Sequence, residues 1–306
     1  MFGENILHDL ILKNKKKCQM GTVANYIPGL DRAEKEDLGV CIIKSDNQIF
    51  ASGNYKQKFT IQSISKPLVL LLAIIDNGED YVFSKIGMEP TGDAFNSIKK
   101  LETCIHHKPF NPMINAGAIA VSSMIKGNNS DEKFERIIKF IEKISENPEL
   151  EYDHEIYSGE KRTGNRNRSM AYFMKNDNII EGEVEEALDV YFKQCSILIT
   201  AMDLARIGLF LSKDGVLSTG ERVISERAAK IAKSLMITCG MYDGSGEFAV
   251  KVGFPSKSGV GGGILSSVPG KMGIGVYGPA LDQKGNSIGG YAILEDISKL
   301  MSLSIF

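Results

Sequence analysis

The sequence carries no excess of charge of either sign, no apolar run long enough to cross a bilayer and no paired cysteines. Its 306 residues include 36 Lys or Arg and 38 Asp or Glu, a formal net charge of −2. Such a balance argues against nucleic acid as the main partner. The longest apolar stretch, Leu68 to Ile75, is far shorter than the ~20 residues of a spanning helix, so no membrane segment is expected. Cys18, Cys41, Cys104, Cys195 and Cys239 are odd in number and scattered, with no Cys-x-x-Cys. They read as reduced cytosolic thiols, not as a disulfide frame or a zinc site. His106 and His107 beside Cys104 offer too few ligands for a metal. Met1 to Asn5 lacks a basic leader, and no small-residue cleavage site follows an apolar core. No export signal is read, and the expected location is the cytoplasm. Linkers, internal repeats and low-complexity tracts are also missing. The one basic run, Lys13-Asn14-Lys15-Lys16-Lys17, follows Ile6, Leu7, Leu10 and Ile11 at helical spacing, which reads as a solvated helix end. What is present is ordinary globular composition, 43% hydrophobic and 24% charged. A chain of this length can bury a large core, as one domain or two interlocked ones.

The most informative stretch is Phe59-Thr60-Ile61-Gln62-Ser63-Ile64-Ser65-Lys66-Pro67, running into Leu68 to Ile75 and closed by Asp76-Asn77-Gly78. The first part alternates and is β-branched; the second is continuously apolar. That pattern predicts an extended segment entering a buried helix, with Ser63 at the junction. Pro67 fits only in the first turn. Ser63 and Lys66 are three residues apart, so a helical turn places them on one face. A hydroxyl at a helix start beside a buried amine is an activated nucleophile in outline. The plainer alternative is a Ser cap with a solvated Lys.

In chain order, an N-terminal helix precedes a loop over Ala24 to Leu30. A β-hairpin is predicted from Leu38–Ile43 and Gln48–Ala51 around Ser45-Asp46-Asn47. The small-residue run Asn115 to Ala120 would let a helix pack closely. Phe134, Ile137, Ile138, Ile141 and Ile144 form an apolar stripe behind Ser130-Asp131 as cap. Further helices are predicted over 167–174, 184–194, 201–211 (with Thr200 and Asp203 as a capping box) and 226–236 behind Ser225. Gly159 to Arg166 reads as a polar loop. Phe248–Phe254, Val260–Val268 and Met272–Tyr277 read as glycine-punctuated strands, and Asn286-Ser287 as the cap of a last helix ending near Leu300. Strands at both ends and helices between predict an α+β fold. One antiparallel sheet would be built from both termini, flanked by helices, with an all-helical region inserted. We expect a single unit over 1–306, with sheet sub-regions near 20–62 and 240–306 and a mainly helical one over 63–239.

Lys257-Ser258-Gly259 precedes Val260-Gly261-Gly262-Gly263. An early Ser-x-x-Lys and a late Lys-Thr/Ser-Gly are the paired marks of serine β-lactamases and penicillin-binding proteins. The late strand then walls the cleft, and its glycines allow close backbone approach. Other stretches narrow this to a family: Tyr26-Ile27-Pro28, Gln62 to Lys66, Glu89-Pro90-Thr91-Gly92, Asn111 to Ile119, Arg166-Asn167, Tyr191 to Ser196, Cys239 to Asp243 and Lys257 to Val260. With these motifs the chain resembles the serine-dependent glutaminases of β-lactamase-like fold, over about residues 20 to 300. It looks like their short bacterial form, without a long N-terminal extension or ankyrin repeats. One departure is Asn165, where many members carry Asp.

The resemblance implies hydrolysis of the L-glutamine side-chain amide to glutamate and ammonia, with no cofactor, no metal and a homodimer or homotetramer as the assembly. It implies Ser63 as nucleophile, with Lys66 or Tyr242 as base. A Lys base near neutral pH requires a pKa about three units below its usual ~10.4; burial and nearby Lys257 act in that direction. Backbone N–H groups of Ser63 and Val260 would hold the oxyanion. Glu160 would pair with the substrate's ammonium, Asn115, Asn167 and Tyr191 would contact its amino-acid end, and Tyr26 and Gln62 would line the site. Lys257, Ser258 and Gly259 would form the cleft wall. Taken singly, these residues have bland readings: Asn115 as a helix cap, Glu160 as a loop charge, Tyr191 as packing. Two competing readings stand beside the glutaminase: a penicillin-recognising hydrolase and a non-catalytic amino-acid-binding module on the same fold. Asparagine, one methylene shorter, should not reach Ser63 while its amino-acid end stays anchored.

Overall fold

The computed structural model describes residues 3–103 and 108–306. The Cys104 and His106-His107 cluster lies outside the described residues. Thirteen α-helices are described: α1 (Glu4–Lys15), α2 (Ser65–Asn77), α3 (Glu79–Lys85), α4 (Lys99–Thr103), α5 (Asn115–Ser123), α6 (Ser130–Ser145), α7 (His154–Thr163), α8 (Asn165–Asn176), α9 (Val184–Cys195), α10 (Ala201–Ser212), α11 (Glu226–Cys239), α12 (Ser245–Lys251) and α13 (Ile288–Met301). The strands are β1 (Gly39–Lys44), β2 (Ile49–Gly53), β3 (Phe59–Thr60), β4 (Leu198–Ile199), β5 (Ser256–Ser258), β6 (Gly263–Val268) and β7 (Met272–Tyr277).

The main sheet has the order β2-β1-β7-β6-β5, and every pairing in it is antiparallel. Both ends of the chain therefore build it, as the sequence predicts. Alternation along β1 divides the core. Val40 and Ile42 pack with Leu7, Ile11, Ile293 and Ile297 under α1 and α13, whereas Cys41 and Ile43 pack with Ala205 and Leu209 under α10. On the α10 face the sheet carries glycine for steric reasons. A Cβ at Gly273 would lie 2.0 Å from Ala205 O, one at Gly275 2.0 Å from Ala201 O, and one on Gly208 of α10 2.2 Å from Ser266 O. The helix lies directly on the backbone of the sheet, and any larger residue there would force the two layers apart.

The inserted helices enclose α2, whose residues Ser65 to Ala73 are all buried. Pro67 occupies its first turn, as expected. Gly117 lets α5 approach the chain closely, since a Cβ there would fall 1.9 Å from Asn111 O. The two-residue strands β3 and β4 pair antiparallel, Phe59 with Ile199 and Thr60 with Leu198. The bond from Ile61 N–H to Ile197 O, 2.8 Å, extends that pairing. The chain just before Ser63 is thus tied to the chain just after α9.

Four local expectations are corrected. Phe248–Phe254 is not a strand: Ser245–Lys251 is helical, with Phe248 and Val252 buried four residues apart and Val250 88% exposed between them. Gly253, at φ +78°, ends that segment. A short apolar run does not itself distinguish the two periods. Residues 159–166 are not a loop: Asp153 caps α7 by accepting from Glu155 and Ile156 N–H, and only Ile156, Gly159 and Glu160 of α7 are buried. So few inward residues leave no apolar period to read. Ser130 is the first residue of α6, and the cap is Asn129, which accepts from Glu132 N–H. By contrast, the capping box of Thr200 and Asp203 on α10 and the Ser287 cap of α13 form as expected. Val260 to Gly262 form the turn between β5 and β6, so the strand begins at Gly263 rather than Val260.

Candidate active site

Ser63 sits in a 3-10 turn, Gln62–Ile64, that leads directly into α2. Gln62 adopts φ +48°, a left-handed conformation uncommon for a non-glycine residue. Backbone strain of this kind persists where surrounding structure over-determines it. Here Ser65 Oγ, donating to Gln62 O at 2.8 Å, closes the turn. Lys66 is buried one turn beyond Ser63. Its amine donates to Asn115 Oδ1 at 2.7 Å and to Met113 O at 3.2 Å, and it lies 5.8 Å from the Phe95 ring centroid. Burial pushes the Lys66 pKa down to about 8; Cys195 and Glu160 act in the opposite direction. Asn115 Nδ2 donates onward to Asn167 Oδ1 at 3.1 Å. One amide thereby links the lysine to the first turn of α8.

The glycine turn after β5 closes on the same point. A Cβ on Gly259 would lie 2.8 Å from Ile61 O, and one on Gly261 2.2 Å from Thr60 O. Gly259 N–H donates to Gly263 O and Gly262 N–H to Gly259 O, bonds that bracket Val260. Behind the turn, Lys257 is fully buried, its amine donating to Ser258 O at 2.7 Å and Gly240 O at 3.1 Å. Burial, with Lys66 adding repulsion, holds its pKa well below the usual range. The amine lies 4.5 Å from the Tyr242 ring centroid, and the Phe95 ring is 4.7 Å from that of Tyr242, centroid to centroid. Tyr242, at φ +56°, presents a hydroxyl sealed from solvent without a well-formed hydrogen bond. Burial raises its pKa, and an interaction with Ser63 opposes the rise.

Between the sheet and the helices lies a cleft of about 150 Å³ whose walls include Tyr26, Gln62, Ser63, Asn115, Glu160, Asn167, Tyr191 and Val260. These predicted residues, from widely separated stretches of chain, meet at one place. Glu160 reaches it from the last turn of α7. Its carboxyl is buried with Oε1 unpartnered, and burial raises its pKa to about 8 against the pull of Gln62 and Lys66. Tyr191, on α9, has its phenol pKa raised well above normal, chiefly by burial. Tyr26 is 56% exposed as a residue, yet burial around its hydroxyl raises its pKa, with Tyr242 and Glu160 adding. Tyr242, Lys66 and the Lys257-Ser258-Gly259 strand stand behind the wall. Phe95, Arg166 and Cys195 also line the cleft but were not singled out as site residues from sequence. Cys195 carries a signal, its position four residues after Tyr191 on the same helix face. Phe95 carries none, because it lies in a loop without periodicity. Among the described residues no cluster of three His, Cys, Asp or Glu could hold a metal ion.

A sheet made from both chain ends, a helical insertion and this cleft between them define a β-lactamase-like α+β hydrolase fold. The glutaminase family model matches residues 21–306. The glutaminase of Fusobacterium nucleatum is 62% identical over 303 residues, spanning 99% of this chain and all of that one. A solved probable glutaminase of Bacillus subtilis superposes with a TM-score of 0.93 at 40% identity, covering 99% of this chain and 97% of that one. A covalent complex of Bacillus subtilis glutaminase with 5-oxo-L-norleucine, formed from 6-diazo-5-oxo-L-norleucine, superposes with a TM-score of 0.91 at 39% identity, covering 99% of each chain. The chain belongs to the glutaminase family. Its reaction is hydrolysis of the L-glutamine side-chain amide to L-glutamate and ammonia.

Proposed function

We propose that this hydrolysis runs through a serine acyl-enzyme on Ser63, with Lys66 as the base. The observation that carries the reading is the setting of the Lys66 amine. A neutral amine has two N–H bonds and one lone pair. Asn115 Oδ1 and Met113 O accept the two hydrogens, so the lone pair is left to take the Ser63 proton. A pKa of about 8 leaves a useful neutral fraction near neutral pH. The Tyr242 phenol, raised by burial, is a poor base and serves to relay or hold the proton.

Ser63 Oγ attacks the amide carbon as its proton passes to Lys66. The oxyanion is met by the N–H groups of Ser63 and Val260. Collapse breaks the C–N bond, Lys66 returns the proton to the departing nitrogen, and ammonia leaves. Water then attacks the ester with Lys66 again as base, releasing glutamate and restoring Ser63. Glu160 pairs with the substrate's α-ammonium, and the unpartnered Oε1 is the acceptor it fills. Asn115, Asn167, Tyr191, Tyr26 and Gln62 hold the rest of the amino-acid end. Lys257, Ser258 and Gly259 support the wall. A single unit over 1–306, cytoplasmic location and a homodimer or homotetramer complete this reading. Among the described residues, Cys18, Cys41, Cys195 and Cys239 are buried and unbridged, which fits a reducing compartment.

Bacillus subtilis glutaminase reacts covalently with 6-diazo-5-oxo-L-norleucine, a glutamine analogue. The test is to treat this protein with the same reagent and map the adduct by peptide mass spectrometry. We expect modification at Ser63, lost in Ser63→Ala. An adduct on any other residue overturns the assignment.

A further inference from the structure

The helix that brings Glu160 to the cleft has little apolar grip. Of its ten residues only Ile156, Gly159 and Glu160 are buried, so hydrophobic packing alone fixes its rotation weakly. Polar contacts take that role at both ends. Near the N-terminus Arg32 pairs with Asp153 and Glu155. Near the C-terminus the partner is Asp189 of α9, a nearly buried carboxylate that no step of the reaction uses. The Tyr157 hydroxyl and the Lys161 amine both donate to its Oδ1, each at 2.5 Å, and Lys193 Nζ lies 2.8 Å from its Oδ2. Tyr157 and Lys161 are four apart on α7, and Glu160 lies between them in sequence. Lys193 continues to Asp131 of α6 at 2.6 Å, but Asp131 is exposed, so that outer contact contributes little.

We propose that Asp189 is a positioning residue for Glu160: by clasping Tyr157 and Lys161 to α9 it fixes the rotation of α7, and with it the enzyme's hold on the substrate's α-ammonium. This rests on Glu160 being the ammonium's partner. Tyr191 sits two residues after Asp189 on α9, so the clasp sets Glu160 and Tyr191 relative to each other across the cleft. Burial would raise the Asp189 pKa, but Lys161, Lys193 and Tyr157 hold it well below the usual carboxylate range. The clasp is therefore charged at every working pH.

The test is a double-mutant cycle of D189N with E160Q, read as kcat and KM for glutamine, with melting curves for each protein. Residues acting through one another give non-additive losses. D189N should lower kcat/KM about tenfold, mainly through KM, yet lower it less than about twofold when E160Q is already present. Y157F keeps the ring and removes one donor, and should show the same non-additivity at about threefold; it carries the test if D189N does not fold. K161R should keep near wild-type KM while K161Q raises it. Equal losses from D189N, or from Y157F, in both Glu160 backgrounds overturn the clasp, as does unchanged KM in D189N. An E160Q enzyme with wild-type kinetics overturns the Glu160 reading itself, and the clasp with it.

Discussion

The Lys66 amine and the Asn115 side chain meet at 2.7 Å, with Asn115 as acceptor. The other end of the same amide is spent on Asn167. An uncharged acceptor suits a lysine that must give up its proton, because a carboxylate at that distance would stabilise the ammonium form. Burial lowers the Lys66 pKa and a neutral partner leaves it lowered.

Activity should therefore rise with pH. Below about 8 the amine is protonated and cannot accept the Ser63 proton, and above it the base is free. The Glu160 carboxyl, also near 8, becomes charged over the same range. The acidic limb of kcat/KM thus belongs to the pair rather than to either residue. Asn115→Asp should move this limb upward by about one to two units. Activity at pH 7 should then fall by at least about tenfold. A profile of kcat/KM from pH 6 to 10 for both proteins checks this; an unmoved limb in the variant means that Lys66 does not titrate there.

Ser63→Ala and Lys66→Ala should each nearly abolish ammonia release and leave the fold intact. If the two share one proton transfer, the double variant will be little worse than either single one. Multiplying losses would place them in separate steps.

Val260 separates backbone from side chain. Val260→Ala should keep most activity, because the proposed oxyanion hole uses only its N–H. Val260→Pro removes that N–H, and losing an oxyanion donor costs on the order of a hundredfold in rate. Circular dichroism and melting of the Pro variant must match wild type for the comparison to count. Equal damage from both substitutions would mean the side chain, not the N–H, matters.

What could be read before the structure divides along physical lines. The placement of Ser63 and Lys66 was legible because their spacing spans the entry to a long buried helix, and α10 because the Thr200 and Asp203 box is a local signal. The sheet from both ends followed from where strand-like segments fell. The helix carrying Glu160 was not legible, since three inward residues make no stripe. Phe248 and Val252 fit a strand period as well as the helical one they adopt, because so short a run accommodates both. Phe95 reaches Lys66 and Tyr242 through tertiary packing alone, and no spacing in its loop announces it. The two-residue pairing of β3 with β4, which anchors the Ser63 junction, was beyond reach for the same reason.

Glu160→Gln is the sharpest test of what the cleft recognises. A β-lactamase-like site that only cleaves amides has no use for a buried carboxyl on α7. A glutaminase has, because the α-ammonium must be fixed before the amide carbon can sit over Ser63. A charge-assisted hydrogen bond in such a site is worth about 1.5–3 kcal/mol. Glu160→Gln keeps the shape and removes the charge, so kcat/KM for glutamine should fall about tenfold to a hundredfold. It also removes one of the two groups that titrate near pH 8, so the acidic limb should simplify to that of Lys66. N-acetylglutamine has lost the ammonium, and the wild-type enzyme should reject it. The variant should discriminate less between the two substrates, because its neutral amide has no charge to offer either. Ammonia release from both substrates by both proteins decides the matter. Wild-type acceptance of N-acetylglutamine at the glutamine rate, or unchanged glutamine kinetics in the variant, would leave Glu160 as a buried acid without a part in substrate recognition.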